Sequence, residues 1–222
     1  MRILLLNPNS STAMTNGMLL AARSTPLSAS LDIVPMTATS APASINDDQD
    51  IRDSTQDILA SLADNPDTFG GYDAMLIACF SAHPLVPHLS CRFDIPVTGI
   101  FEASILGAMS LLKPLERWGI VTTGKFWEKH LWLTAGDFHT VSLEEVKEKL
   151  TSAARRLLKS GNVTCVVMGC GGMAGLEDTI RATAADVHGA SKAKSLYIRR
   201  RQGGYSSTSP KHPRRANFQT KR

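Results

Sequence analysis

The sequence lacks any apolar run of the length that a membrane helix or a secretory signal requires. Its longest early run, residues 3–6, has four apolar residues before a polar turn, whereas a signal core needs about 7–15 and a membrane span about 20. We therefore expect no membrane association and a cytoplasmic location. Because thiols stay reduced in that compartment, the four cysteines are expected to be thiols rather than disulfides.

The carboxyl-terminal segment lacks acidic residues altogether. Residues 189–222 contain ten Lys or Arg and no Asp or Glu, which leaves 14 basic and 20 acidic residues, a charge of −6, in residues 1–188. The formal net charge of +4 therefore comes from this segment. We expect residues 199–222 to be a disordered basic tail. No nucleic-acid partner is expected, although such a tail leaves weak binding open.

The body of the chain has 43% hydrophobic residues, which suits a packed globular core. Apolar runs that end abruptly in small or polar residues predict strands buried on both faces of a parallel sheet; they occupy residues 3–6, 74–78, 119–121 and 163–168. Helical patterns lie between them, at residues 12–23, 51–63, 103–112 and 143–159. This alternation predicts an α/β fold with parallel sheets flanked by helices.

The turns after these strands repeat in two halves of the chain. The first and third strands lead into turns rich in hydroxyl and amide groups, and the second and fourth lead into Cys79 and Cys170. We predict one lobe at residues 1–98 and a second at 99–198. Asn7 and Cys79 are 72 positions apart, but Thr123 and Cys170 only 47. The second lobe is therefore expected to be shortened.

Ligands of open parallel sheets bind beyond the carboxyl ends of the strands, where Cys79 and Cys170 are expected to lie. Helix amino termini at such ends favour thiolates. A thiolate facing a thiol across a substrate can remove a Cα proton on one side and return a proton on the other, which inverts the stereocentre without a cofactor. Cys91 and Cys165 are predicted to be packing residues.

Several motifs resemble, in order, the hydantoin/allantoin racemase branch of the aspartate/glutamate racemase superfamily: residues 7–11 (NPNSS) with 14–15 (MT), 78–81 (ACFS), 99–103 (GIFEA), 119–123 (GIVTT) and 168–175 (MGCGGMAG). The resemblance implies two similar lobes with the active site between them. It also places the shortening of the second lobe between residues 126–131 and 135–140, where a helix–strand segment of the family would be missing. It also implies racemisation without pyridoxal phosphate or metal, with Cys79 and Cys170 as catalytic residues, a small-molecule substrate and a homo-oligomer. The implied substrate contacts are Asn9, Ser81 and Thr123, with the residues after each cysteine: Phe80, Gly171 and Gly172. Glu102 lies in one motif, with either a structural or a functional role.

Other functions remain open at this point. An amino-acid racemase or a maleate isomerase of the same superfamily would also use two cysteines, whereas the arylmalonate decarboxylase type relies on one. The residues Cys79, His83, His88 and Cys91 include the right ligand types for zinc, although their spacing is not that of a common finger. A shortened second lobe would also suit a catalytically inactive binding protein.

Overall fold

The structure, a computed structural model, describes residues 1–122, 143–169 and 176–199. It contains two parallel sheets flanked by helices, which confirms the α/β prediction. The described strands are β1 (Arg2–Asn7), β2 (Asp32–Thr37), β3 (Ala74–Ile77), β4 (Val97–Gly99), β5 (Arg117–Val121), β6 (Val163–Met168) and β7 (Tyr197–Arg199). The described α-helices are α1 (Thr12–Arg23), α2 (Asp48–Asp64), α3 (Leu85–Arg92), α4 (Ile100–Met109), α5 (Leu143–Lys159), α6 (Glu177–His188) and α7 (Ala190–Ser195).

The first sheet has the strand order β2-β1-β3-β4, and all its pairs are parallel. Helix α1 begins after Ser11, whose side chain accepts a hydrogen bond from the Met14 backbone N–H. Helix α2 begins after Asp47, which caps the Gln49 and Asp50 N–H groups in the same way. Such caps satisfy donors that have no partner inside the helix, and so they fix where each helix begins.

The second sheet has the order β5-β6-β7, again parallel. Apolar side chains of α5 and α6 cover one face of it, with Leu150, Leu158 and Ile180 fully buried against Val166. Each lobe therefore has its own core, because the first lobe buries Leu4, Leu6 and Ile77 beneath α2 and α3 in a separate cluster. Continuous apolar strands in both sheets reflect burial on two faces.

A third apolar cluster joins the lobes. It contains Phe80 after β3, Ile100 and Ala108 of α4, and Cys165 and Val167 of β6. Helix α4 follows β4, the last strand of the first sheet, and packs on β6 of the second sheet. The lobes are consequently held together beside the carboxyl ends of the strands that precede the two predicted catalytic cysteines.

The predicted division at residues 98 and 99 falls inside β4, which pairs with β3 in the first sheet and ends at Gly99. The domain bounds stay a prediction. The predicted tail lies outside the described residues, apart from Arg199, which ends β7. Within residues 1–122, 143–169 and 176–199, no helix has both the length and the apolar character that crossing a bilayer requires.

Candidate active site

The first and second predicted strands lie side by side and end together. β1 pairs with β3 in parallel register, with Leu6 opposite Ile77, and the Ala78 N–H donates to the Leu6 carbonyl at 2.7 Å. The turn that carries Asn9 and the turn that carries Cys79 therefore leave the same edge of the sheet. This is the position at which parallel α/β proteins bind ligands.

The turn after β1 is held by a buried amide network. The Asn7 Nδ2 donates to Asn9 Oδ1 and to Thr15 Oγ1, both at 2.9 Å. Asn9 Oδ1 also accepts the Ser11 N–H at 2.9 Å, so the oxygen of that amide is turned toward the protein. The Asn9 amide nitrogen has the Met14 sulfur at 3.6 Å, a weak acceptor, and retains the capacity to donate to a ligand.

Asn7 and Thr15 were not among the predicted site residues, yet they orient Asn9. The Thr15 hydroxyl contacts Asn7 and lies 2.7 Å from the Thr37 hydroxyl at the end of β2. A signal for Asn7 was present, because it ends an apolar strand and is the first polar residue of the turn. Thr15 belongs to the opening motif that resembles the racemase family, but the motif does not indicate its role, because that role depends on where α1 packs against β2.

Cys79 is the second residue after β3, and only 8% of its surface is exposed. Its Sγ lies 3.2 Å from the Ser81 Oγ, within hydrogen-bond distance for sulfur. Ser81 is buried as well. A Ser81 hydroxyl that donates to this sulfur stabilises the thiolate relative to the thiol. The structure therefore brings together two of the predicted site residues, Cys79 and Ser81.

His83 is a buried residue of the same turn, 2% exposed. Its Nδ1 accepts the Leu85 N–H at 3.3 Å, and its Nε2 lies 3.0 Å from the Ser54 hydroxyl on α2. Burial lowers the pKa of His83 from 6.5 to about 4. The imidazole is thus neutral at pH 7, and sequence reasoning placed it only as a loop residue or zinc ligand.

Phe80 carries its ring away from the turn into the junction between the lobes. It meets the ring of Phe101 edge to face, with centroids 5.2 Å apart. On the other side it abuts Gly169, where an added β-carbon would lie 3.0 Å from Phe80 Cε1 and 3.1 Å from Thr122 Cβ. Gly169 itself donates its N–H to the Val121 carbonyl at 2.7 Å. The carboxyl ends of β3, β5 and β6 therefore converge around Phe80.

Four predicted site residues lie outside the described residues: Thr123, Cys170, Gly171 and Gly172. The described residues next to them in the chain, Thr122 and Gly169, both lie where the strand ends meet around Phe80. Thr122, which precedes Thr123, is buried, and Gly169, which precedes Cys170, packs against Phe80 and Thr122. A side chain at Gly169 would require Phe80 or Thr122 to shift, because an added β-carbon would lie 3.0–3.1 Å from their side chains.

The other two cysteines differ from each other. Cys165 is fully buried in the middle of β6, as predicted for a packing residue. Cys91 is exposed in the last turn of α3, so the prediction that it packs in a core was wrong. The reason is that α3, a helix absent from the predicted elements, turns Cys91 outward while Leu85 and Leu89 face the core.

The zinc alternative receives no geometric support from the described residues. His83 directs both ring nitrogens to protein partners, and His88 and Cys91 lie on the exposed side of α3. In the part of the chain that the structure describes, no three His, Cys, Asp or Glu side chains form a group that could hold a metal ion.

Glu102 lies in the first turn of α4, and its carboxylate occupies the space that a side chain at Gly99 would need. A carboxylate near a helix amino terminus is favourable because the exposed N–H groups carry partial positive charge. The Glu102 Oε2 is buried, with no hydrogen-bond partner among the described residues.

Comparison with known proteins decides the family. The model of the Asp/Glu/hydantoin racemase family matches residues 3–134, more than half of the chain. The chain belongs to the Asp/Glu/hydantoin racemase family. The family includes the predicted hydantoin/allantoin branch, so the resemblance drawn from the motifs is confirmed at that level.

Among solved structures, the allantoin racemase from Klebsiella pneumoniae is 28% identical, with a TM-score of 0.61 and a match covering 86% of this chain and 84% of that one. The allantoin racemase from Pseudomonas fluorescens has a TM-score of 0.63 at 21% identity, over 98% of this chain and 100% of that one. A glutamate racemase from Bacillus anthracis, 17% identical, has a TM-score of 0.58 over 90% of this chain and 76% of that one. The last two likenesses concern the fold alone.

Two yeast proteins are also similar. An uncharacterized protein of Schizosaccharomyces pombe is 34% identical over 128 residues, 57% of this chain and 51% of that protein. The chain thus matches about half the length of that relative. Protein DCG1 of Saccharomyces cerevisiae is 27% identical over 216 residues, 82% of this chain and 86% of that protein.

Proposed function

We propose that the protein is a cofactor-independent racemase that inverts the ring stereocentre of a hydantoin-type cyclic ureide, either a 5-substituted hydantoin or allantoin. The observation that carries this proposal is the contact between Phe80 and Gly169. Phe80 follows Cys79 directly and Gly169 precedes Cys170 directly. The Phe80 ring therefore links the turn that holds Cys79 to the end of the strand that leads to Cys170, which supports our proposal that the two thiols act on one carbon atom.

In the proposed reaction, the Cys79 or Cys170 thiolate removes the proton from the ring carbon. The electron pair of the broken C–H bond moves into the adjacent carbonyl, which becomes an enolate. The opposite cysteine then gives its S–H proton to the other face of the carbon. The enantiomer is released, the first cysteine is left as a thiol and the second as a thiolate, and the reverse reaction or exchange with solvent restores the starting state.

Three described residues have proposed parts in this chemistry. The Ser81 hydroxyl, 3.2 Å from the Cys79 sulfur, would stabilise the thiolate that removes the proton. The Asn9 amide nitrogen would donate to a ring carbonyl, on which negative charge develops in the enolate. Phe80 would contribute its backbone amide, because its ring is engaged at the lobe junction. We further propose that Thr123, Gly171 and Gly172 contact the substrate.

The choice of a cyclic ureide over an amino acid rests on one comparison. The allantoin racemase from Klebsiella pneumoniae is 28% identical over most of both chains, whereas the glutamate racemases are under 20% identical and support the fold only. The ring C–H of a hydantoin is acidified by its neighbouring carbonyl and ring nitrogen. A thiolate is then a sufficient base, and we propose that neither pyridoxal phosphate nor a metal takes part.

A second candidate is a catalytically inactive ligand-binding protein. It is favoured by the short connection between β5 and α5, residues 122–142, because the corresponding connection between β1 and α2 spans residues 8–47. If the second lobe lacks a wall of the cleft, it could bind a ureide without turning it over.

The deciding experiment measures loss of optical rotation by the purified full chain with L-5-methylhydantoin, (S)-allantoin and L-aspartate, each corrected for its spontaneous rate. We expect turnover of one of the cyclic ureides, unaffected by EDTA or by hydroxylamine treatment, which removes pyridoxal phosphate. Turnover of aspartate alone would favour the amino-acid racemase. Ureide binding seen by calorimetry with no turnover would favour the binding protein.

The assembly and location are also proposals. We propose a homo-oligomer in the cytoplasm, acting on a small molecule without a nucleic-acid partner. Sedimentation velocity of the full chain tests the assembly, and a single species of 24.0 kDa would contradict it. Retention on heparin at low salt only would agree with a basic tail that binds no specific nucleic acid.

A further inference from the structure

The turn that carries Cys79 and Ser81 ends in a buried histidine, His83. The partners of its two ring nitrogens show which nitrogen carries the hydrogen. The Leu85 N–H points at His83 Nδ1 from 3.3 Å, so Nδ1 is an acceptor and carries no hydrogen. In a neutral imidazole the other nitrogen then carries it. His83 Nε2–H accordingly donates to the Ser54 Oγ at 3.0 Å, and Ser54 donates onward to the Ile51 carbonyl at 3.1 Å.

These hydrogen bonds, with one from the His83 backbone, connect the turn to two helices. Through Nδ1 and its own carbonyl, which accepts the Val86 N–H at 3.0 Å, His83 satisfies two donors in the first turn of α3. Through Nε2 it is tied to α2, a 17-residue helix of the first lobe that packs on the sheet. Pro84, next in the chain, has no N–H and a restricted φ, which limits the ways in which the turn can relax.

Both sets of hydrogen bonds are made by His83, which is four residues after Cys79 and two residues after Ser81. We infer that His83 is a positioning residue that fixes the turn from Cys79 to Ser81 by joining α2 to the start of α3 through a neutral, Nε2-protonated imidazole. The assignment of a catalytic role to Cys79 rests on the proposed function, but these hydrogen bonds do not. His83 does not itself exchange protons with the substrate, because both of its nitrogens are engaged within the protein.

Burial agrees with this role. Ser54 and His83 are both buried, and the pKa of His83 is lowered to about 4 by that burial. A charged ring would place a second hydrogen on Nδ1, directly opposite the Leu85 N–H, and this hydrogen bond to α3 would be lost. The neutral form is therefore the one that the surrounding backbone selects, independently of any ligand.

Two substitutions separate the two contacts. His83→Asn places an amide oxygen near the position of Nδ1 and keeps an acceptor for Leu85, but it does not reach Ser54. His83→Gln reaches toward Ser54 but gives up the Nδ1 acceptor. Ser54→Ala is the milder variant, because it removes the tie to α2 and leaves His83 in place. His88→Asn is the matched control, since His88 is exposed on α3.

The readout is the rate at which iodoacetamide alkylates Cys79, measured on the isolated peptide by mass spectrometry well below the melting temperature. We expect a rise of about tenfold or more in His83→Gln and a smaller rise in Ser54→Ala, because a released turn exposes the thiol. His88→Asn should match the unmodified protein. Racemase turnover, where it is present, should lose kcat by about tenfold with KM changed less than threefold, as expected when a reacting group is misplaced.

Alkylation of Cys79 does not depend on racemisation, so the two proposals fail separately. If the unmodified chain turns over no ureide but the variants alkylate faster, the proposed function fails and the positioning role stands. If His83→Gln and Ser54→Ala stay folded and Cys79 alkylates at the original rate, the positioning role is overturned. Nitrogen-15 spectra of the histidine rings add a direct check, since an Nδ1-protonated His83 at pH 7 would also overturn it.

Discussion

The two lobes share a three-strand unit and differ in what surrounds it. In the first lobe β3 lies between β1 and β4, and in the second β6 lies between β5 and β7. Helices α2 and α5, which precede β3 and β6, are both 17 residues long. Each predicted catalytic cysteine thus follows the central strand of an equivalent unit. This similarity is consistent with the equal and opposite roles that we propose for the two thiols.

The lobes diverge at the outer edge of the unit. Helix α1 and strand β2 lie between β1 and α2, within residues 8–47, whereas residues 122–142 separate β5 from α5. The predicted shortening falls mainly there, in a segment of which the structure describes only Thr122. A smaller part lies between helix and central strand, where residues 65–73 of the first lobe compare with residues 160–162 of the second. The prediction assigned the whole difference to the first of these connections.

The largest expected effect comes from the comparison of the two cysteines. Cys79→Ser and Cys170→Ser should each reduce racemisation by about 10³-fold, because a hydroxyl is a far weaker acid–base group at neutral pH. In deuterated water one enantiomer should still exchange its ring hydrogen in each single variant, through the remaining thiol. Polarimetry and proton NMR measure the two processes. Cys91→Ser, an exposed cysteine outside the site, is the control.

The result would bear directly on the equivalence of the lobes. Opposite enantiomers exchanging in the two variants would agree with thiols on opposite faces of one carbon. The same enantiomer exchanging in both variants, or ordinary racemisation in either, would contradict the paired mechanism.

The sequence was a good guide to the units that repeat. The helices at residues 12–23 and 143–159 and the strand at 163–168 have the bounds that were predicted, because apolar periodicity marks elements that pack on one side or are buried on both. Helix α2 begins three residues before its predicted start, at the Asp47 cap. The predicted α4 lay three residues too late, since its apolar residues surround the helix and give no clear face.

The elements that were missed are short or carry mixed patterns. Strand β2 includes Pro35 and exposed positions because it is an edge strand, and β4 has three residues. Contacts between distant segments were also missed. The His83–Ser54 pair joins residues 29 positions apart, and the Phe80–Gly169 contact joins the lobes. Such pairings depend on how helices pack on the sheets, which local patterns do not specify.

The next largest effect is a loss of stability at acidic pH that originates in the first lobe. The unfolded chain takes up a proton at His83 near its ordinary pKa of 6.5, but the native protein does so only near 4. The free energy of unfolding should therefore fall by about 3 kcal/mol as the pH drops from 6.5 to 4, and this contribution is complete above 6.5 and absent below 4. Free energies of unfolding measured by urea denaturation at several pH values should show this decrease. The His83→Gln variant should not show it.

Tryptophan fluorescence shows whether the lobes share that loss. His83 is in the first lobe, whereas all three tryptophans, Trp118, Trp127 and Trp132, lie within residues 99–198. If the Phe80 junction couples the lobes, fluorescence and circular dichroism should give the same midpoint at every pH. A fluorescence midpoint that does not move between pH 6.5 and 4 would mean that the second lobe unfolds by itself.

A smaller effect is expected at the junction. Gly169→Ala would place a β-carbon about 3 Å from Phe80 and Thr122, and overpacking of this kind costs about 1–3 kcal/mol. Phe80→Leu provides room, so the double variant should recover part of the loss in a thermodynamic cycle. Strict additivity of the two changes would mean that the residues do not interact. Urea denaturation measures all three variants.

The smallest effect comes from a glycine of the first lobe that has no such constraint. Gly17 lies in the middle of α1. Apart from its chain neighbours and the backbone of the same helix, no atom lies within 4 Å of an added β-carbon. Gly17→Ala should therefore stabilise the protein by about 0.5–1 kcal/mol, because alanine loses less backbone entropy in a helix. Gly169→Ala and Gly17→Ala are the same chemical change, so their opposite signs would isolate close packing at the lobe junction as the cause. A loss of stability in Gly17→Ala would contradict the open space around an added β-carbon at this position. Urea denaturation measures both variants.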